Sequence, residues 1–278
     1  MLVQEIGSFA CGVFTGATMH TPVEVTEAAM KVVAETEADC VVSLGGGSTT
    51  GLGKAIAYRT DLLQIVIPTT YAGSEVTPIL GQTEGGRKTT VRDAKILPEI
   101  VIYDPSLTLG LPVAMSVTSG LNAMAHAVEG LYAQDRNPIS SLMALEGLRA
   151  FERSLPVIVN DPKNTEARSD ALYGAWLCGS VLGTVGMALH HKICHTLGGS
   201  FDTPHAEPHA ILLPYTTAFN EAAVGDLLSP IAATFGGGSA GGGLWDFARA
   251  VGAPLSLKEI GIAESDLDRA TSIAVKNA

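Results

Sequence analysis

The sequence predicts an α/β domain built on a parallel sheet, followed by an all-helical domain. Three observations carry this expectation. Short apolar runs at 40–44, 63–67 and 100–103 alternate with helical patterns, the signature of a parallel sheet covered on both faces. The first of these runs passes straight into Gly45-Gly46-Gly47-Ser48 and then into a helical pattern through Ile56, a strand–turn–helix junction. Beyond about residue 108 no strand signal remains, and long helical patterns follow one another. The predicted domains are therefore 1–108 and 109–278.

Along the chain, residues 12–15 read as a short strand. Residues 26–36 read as a helix, with Ala29, Val32, Val33 and Thr36 at helical spacing. The runs 40–44, 63–67 and 100–103 are strands, the second closed by Pro68-Thr69-Thr70 and the third by Asp104-Pro105. In the second domain, Ser119 is expected to cap a helix through Tyr132, and Pro138 to start another through Phe151. Further helices are expected at 165–189, at 189–197 and from 205 onward, with Gly198 and Gly199 ending the second of these. FGGGSAGGG (235–243) follows no strand and reads as a flexible loop between late helices. Residues 171–189 hold no charge and contain Gly174, Gly179, Gly183 and Gly186. That stretch imitates a membrane span, but no second span accompanies it. A buried helix whose glycines admit neighbours closely is the preferred reading.

Composition narrows the function. Of 278 residues, 46% are apolar and 16% charged, and the net charge is −11 with no Lys/Arg run. Nucleic-acid binding, which needs a basic face, is not expected. Cys11, Cys40, Cys178 and Cys194 form no CxxC pair and read as apolar fillers in a reducing compartment, so the cytoplasm is the expected location. The N-terminus has no basic n-region and does not read as a signal peptide.

Five of the seven histidines fall within 190–209: His190, His191, His195, His205 and His209. His191 and His195 are four apart and share a helix face. A return of the chain at the glycines would bring His205 back towards them. Imidazoles so grouped serve acid/base chemistry or metal binding; the alternative is a set of core and surface histidines that merely share a segment. Asn122 and His126, also four apart, would add another wall to the same pocket. Cys194 would face away from it. The Gly45–Ser48 turn is a phosphate cradle in principle, since glycines let backbone N–H groups approach an anion at a helix N-terminus. The loop 68–77 also follows a strand's C-terminal end, the edge at which open parallel sheets bind nucleotides.

Five segments carry a resemblance: GGGSTTGLGKAIA (45–57), PTTYAGSEVTPILG (68–81), TSGLNAMAHAVEGLYA (118–133), SDALYGAWLCG (169–179) and GMALHHKICHTLGGSFDTPHAE (186–207). In this order they resemble the iron-containing alcohol dehydrogenase superfamily, whose fold is dehydroquinate synthase-like, and in detail its maleylacetate reductase branch. The similarity spans nearly the whole chain. It implies an NADH- or NADPH-dependent reductase that converts maleylacetate, a small dicarboxylate, to 3-oxoadipate in aromatic-compound degradation, and it implies a homodimer. It places Gly46, Gly47 and Ser48 at the pyrophosphate, Thr69, Thr70 and Thr77 near the nicotinamide ribose, and Lys88 at a ribose. Lys192, Arg136 and Tyr71 are weaker expectations for the substrate carboxylates. His195 is expected as proton donor or relay, with His126, His191 and His205 lining the pocket and Asn122 orienting them.

Two departures qualify the resemblance. The superfamily usually has Asp at the position of Asn122; with His126, His191 and His205 that Asp would complete a divalent-metal site. Asn keeps an oxygen ligand but removes the charge, so a bound Fe or Zn ion is expected to be weak and not required. Family members also carry a β-α-β segment before the region matching Met1, so the dinucleotide-binding domain is expected to be incomplete, with an uncovered sheet edge. Two other readings stay open: a metal-dependent dehydrogenase of small alcohols or polyols, and a truncated remnant unable to bind cofactor.

Overall fold

The computed structural model describes residues 2–85, 87–201, 203 and 206–276. The chain divides into two compact units, Met1–Thr70 with Ser74–Asp104, and Tyr71–Gly73 with Pro105–Ala278.

The first unit begins with a short helix, α1 (Leu2–Ile6), that buries nothing. α2 (Val23–Thr36), β1 (Cys40–Gly45), α3 (Gly47–Thr60) and β2 (Leu63–Pro68) follow, then β3 (Ile79–Glu84), β4 (Arg87–Arg92) and β5 (Ile100–Val101). β1, β2 and β5 form a parallel sheet in the order β1-β2-β5. Register runs from Cys40 opposite Leu63 to Gly45 opposite Pro68, so the two strands end level. α3 is the hub of the unit. Its Leu52 and Ile56 pack with Ala29 of α2, while its Ala55 packs with Leu80 of β3 and Ile96.

Three expectations change here. Residues 12–15 form no strand; Phe14 and Ala17 instead pack as side chains on the Ala29–Leu52–Ile56 cluster. β5 is only two residues long, although Ile102 N–H still donates to Val66 O at 2.8 Å. The antiparallel hairpin β3–β4 went unpredicted because RKTTVR is polar and mostly outward-facing, leaving no apolar run to read.

The second unit is helical: α4 (Val113–Tyr132), α5 (Pro138–Asn160), α6 (Thr165–Thr184), α7 (Leu189–Ser200), α8 (Ala206–Phe235), α9 (Ala240–Ala250) and α10 (Leu267–Lys276). α4 is its axis, with every residue from Ser116 to Leu131 buried. Pro112, not Ser119, stands at its N-cap; Ser119 lies inside the helix, its Oγ donating to Met115 O at 2.7 Å. α5 starts at Pro138 with an Asn137/Ser140 capping box, runs on past Phe151, and packs on α6 through small residues. A Cβ added to Gly174 would lie 3.1 Å from the Phe151 ring, and one on Gly147 would lie 2.7 Å from Cys178 Sγ. Gly198 and Gly199 do not stop α7, which continues to Ser200; a helix tolerates such glycines at ~1 kcal/mol each. α8 bends at Val224, where φ is −130°.

Arg168 of α6 is fully buried and ties this unit together. Its guanidinium donates to Tyr71 Oη (2.9 Å), Ser116 Oγ (2.7 Å), Leu111 O (3.1 Å) and Pro162 O (3.0 Å). Among the described residues no single helix is long and apolar enough to cross a membrane; the bent pair α6–α7, at 97°, passes by length and composition only.

Candidate functional site

The Gly45–Ser48 turn links the C-terminal end of β1 to α3. The carbonyl of Gly46 accepts from Thr49 N (3.0 Å) and Thr50 N (3.1 Å), and no side chain caps the helix. Those bonds use the later amides and leave the first turn's positive end facing outward. A Cβ on Gly47 would meet nothing within 4 Å, whereas one on Gly46 would come within 2.9 Å of Thr70 Cγ2. Gly47 thus opens onto free space and Gly46 lets the second loop lie against the first. Thr69 N–H donates to Gly45 O at 3.0 Å, which joins the two loops directly. Thr69 and Thr70 are half-buried beside the uncapped helix end.

Lys54, one face of α3 further on, is fully buried and fixes the far half of the second loop. Its Nζ donates to Ser74 O, to Thr77 Oγ1 at 2.9 Å and to Ile79 O at 3.1 Å. Burial pulls its pKa down to about 7 against the opposing charge of Glu75. Glu75 is itself buried, which raises its pKa, and it accepts from Tyr103 Oη at 2.9 Å.

In the helical unit, Asn122, His126 and Glu129 recur along α4 at i, i+4 and i+7 and so share one face. Opposite them stands the first turn of α7. Glu129 Oε2 accepts from His191 Nδ1 at 2.6 Å and from Ala188 N at 3.0 Å, while its Oε1 accepts from His190 N at 2.8 Å and Tyr132 Oη at 3.3 Å. One carboxylate therefore both caps α7 and sets the tautomer of His191. Burial would raise the Glu129 pKa, but the His191 hydrogen bond, the charges of His191 and His190 and, least, the Ala188 N–H outweigh it and hold the value at about 2. With Nδ1 engaged by Glu129, Nε2 is the ring nitrogen that His191 has left to offer. Both His191 Nε2 and Asn122 Oδ1 are buried with no hydrogen-bond partner among the described residues. His191 is the centre of the cluster: ring centroids of His126 and His209 lie 5.0 Å away, His190 5.4 Å and His195 6.3 Å.

Family models place the whole arrangement. The model described as iron-containing alcohol dehydrogenase matches residues 2–105, and that of the C-terminal part of the Fe-containing alcohol dehydrogenase family matches residues 116–278. The chain belongs to the iron-containing alcohol dehydrogenase family. Within it, the chain is highly similar to members of one branch. The chain is 66% identical to the maleylacetate reductase of Rhizobium sp. strain MTP-10005, over 99% of this chain and 78% of that one. It is 53% identical to the maleylacetate reductase of Sphingobium indicum, over 99% and 78%. The crystal structure of the Rhizobium maleylacetate reductase superposes with a TM-score of 0.96 at 65% identity, covering 100% of this chain and 79% of that one. The chain is an oxidoreductase of the maleylacetate reductase branch, with the dehydroquinate synthase-like fold.

For this family member, the structure gathers Asn122, His126, His191 and His195 on α4 and α7, with His195 exposed and the other three buried. His205 lies outside the described residues. Gly46, Gly47, Ser48, Thr69 and Thr70 adjoin one another in the first unit. Lys88 is half-buried on β4, its Cε close to Gly81. Two expectations are corrected. Thr77 is 1% exposed, and its hydroxyl is taken by Lys54 and by Ser74 O at 3.1 Å, so it shapes the loop instead of meeting a ribose. Tyr71 is fully buried against Arg168 and Phe151 and is an anchor, not a carboxylate contact. His190 and His209 hydrogen-bond to each other at 3.0 Å beside His191. Arg136 and Lys192 are exposed, and Arg136, in the connection between α4 and α5, donates to Ala133 O. The sequence reading missed Glu129. Its i+7 spacing from Asn122 was the available signal.

Proposed function

We propose that this chain reduces the C=C bond of maleylacetate with NADH or NADPH, giving 3-oxoadipate. The observation that carries the reading is the high identity, spread over nearly the whole chain, to enzymes of that name. The residues present fit the dinucleotide: an uncapped helix end follows β1, and a side chain at Gly47 would fill the space before it. Gly46, Gly47 and Ser48 would hold the pyrophosphate there, with Thr69, Thr70 and Lys88 towards the riboses. When bound, NAD(P)H supplies the hydride for the alkene carbon β to the ketone.

The chain's own work is to hold two carboxylates, offset the charge that gathers on the ketone oxygen, and protonate the α-carbon. His195, the exposed imidazole on the outer edge of the cluster, is the proton donor; an imidazole open to solvent can both deliver a proton and regain it. His126, His191 and His205 line the oxyanion and carboxylate pocket, and Glu129 fixes which His191 nitrogen faces it.

Asn122 Oδ1 and His191 Nε2 also fit a divalent cation, with His126 and His205 as further ligands. Such an ion, when bound, would polarise a substrate oxygen. With an amide where a carboxylate would supply charge, we propose that the ion is held weakly and is dispensable. The proposed form is a cytoplasmic homodimer. The discriminating experiment is a panel of small alcohols and polyols with NAD⁺, alongside maleylacetate with NADH, each with Fe²⁺ or Zn²⁺. Turnover confined to maleylacetate supports the reading, and metal-dependent alcohol oxidation overturns it.

A further inference from the structure

Beside His191, three donors that the pocket above does not use come together. His190 and Cys194 are one turn apart on α7, and His209 faces them from α8. All three are buried. His190 Nε2 lies 3.0 Å from His209 Nδ1 and 3.6 Å from Cys194 Sγ, and the three donor atoms are all within 4.8 Å of one another. Zinc bonds to imidazole at ~2.0 Å and to thiolate at ~2.3 Å, so adjacent donors on a tetrahedron stand about 3.3 Å (N to N) and about 3.6 Å (N to S) apart. The two His190 edges, 3.0 and 3.6 Å, are close to these values.

The surroundings complete the pattern. His190 Nδ1 is paired with Thr216 Oγ1 at 2.9 Å, and that hydroxyl is also within 2.9 Å of Leu212 O. A hydrogen bond at one ring nitrogen that aims the other at a common point is the support that metal-binding histidines ordinarily have. Glu129, bonded to the backbone N–H of His190, brings a buried negative charge to the same turn. A thiol and two imidazoles are also a costly way to fill a core that small apolar side chains would fill as well.

We propose that His190, Cys194 and His209 form a second cation site, distinct from the Asn122–His126–His191 pocket, that takes a thiophilic divalent ion of the zinc class. The cation replaces the thiol proton, which leaves to solvent, and both imidazoles bind in their neutral forms. The site shares no ligand with the pocket proposed for catalysis.

Cobalt(II) is the probe, because a cobalt–thiolate bond gives a near-ultraviolet charge-transfer band that oxygen and nitrogen ligands do not. The purified full-length chain is titrated with Co²⁺, followed by the same titration of Cys194→Ala and of His209→Asn, each checked for folding by circular dichroism. The expected result is a thiolate band in the parent, complete loss of it in Cys194→Ala, and weakening in His209→Asn. The last variant keeps the test intact if Cys194→Ala does not fold. No band in the folded parent at saturating Co²⁺ overturns the proposal, as does a band that survives in Cys194→Ala.

Discussion

Glu129 is buried to 1% and is nevertheless ionised, because four donors converge on its two oxygens. Its amide analogue cannot accept from all of them: Glu129→Gln would turn an N–H towards either His191 or the α7 amides. Losing such support around a functional histidine costs ~10–100-fold. We expect Glu129→Gln to lower kcat by that order while leaving the KM for NADH unchanged, as steady-state kinetics would show. The same group shapes acid stability. Its folded pKa of about 2 lies below the unfolded carboxylate value, so its contribution is fully present above the unfolded value and is lost as pH falls through about 2. The linkage is worth about 3 kcal/mol. Urea unfolding from pH 7 down to pH 2.5 should therefore show a steep acid loss in the parent and a flatter one in Glu129→Gln; equal slopes would contradict the assignment. The proposed role of His195 as proton donor predicts that His195→Ala loses ~10²–10⁴-fold in kcat. Unchanged single-turnover reduction in that variant would remove His195 from the role.

At the scale of elements, the functional pieces are helix ends. α3 presents an uncapped N-terminus that begins at Gly47. Gly47→Val adds a side chain to open space, so the fold should keep its melting temperature while the KM for NADH rises roughly tenfold (~1.4 kcal/mol). A fall in melting temperature with an unaltered KM would place the phosphate elsewhere. Lys54 holds the neighbouring loop from within. Lys54→Met strands the acceptors at Ser74, Thr77 and Ile79 and should cost ~2–4 kcal/mol in denaturant unfolding. The local signals explain what could be read at this scale. A strand running into three glycines and a helix is written in consecutive residues, and so is an i, i+4 histidine pair. The β3–β4 hairpin is polar, and the α4 start depends on Pro112 where Ser119 offered the more familiar cap.

For the molecule as a whole, the fold class followed from the change of periodicity near residue 108 and from strands too apolar to face water. The imidazole pocket was legible because its histidines crowd one segment. What held it in place was not, because Glu129 reaches His191 across 62 residues and His209 reaches His190 across 19; only packed helices reveal either contact. Buried cations follow the same rule. Lys54 and Arg168 look like ordinary surface charges in the sequence, yet each is fully buried and satisfied by loop carbonyls and hydroxyls. The central proposal is that a Glu129-braced imidazole pocket in this helical unit supports reduction of a dicarboxylate without depending on a metal. The most direct measurement is the rate of NADH oxidation with maleylacetate before and after exhaustive chelation, with residual metal quantified. Full turnover after chelation is the predicted result. Loss of turnover that Fe²⁺ or Zn²⁺ restores would contradict it.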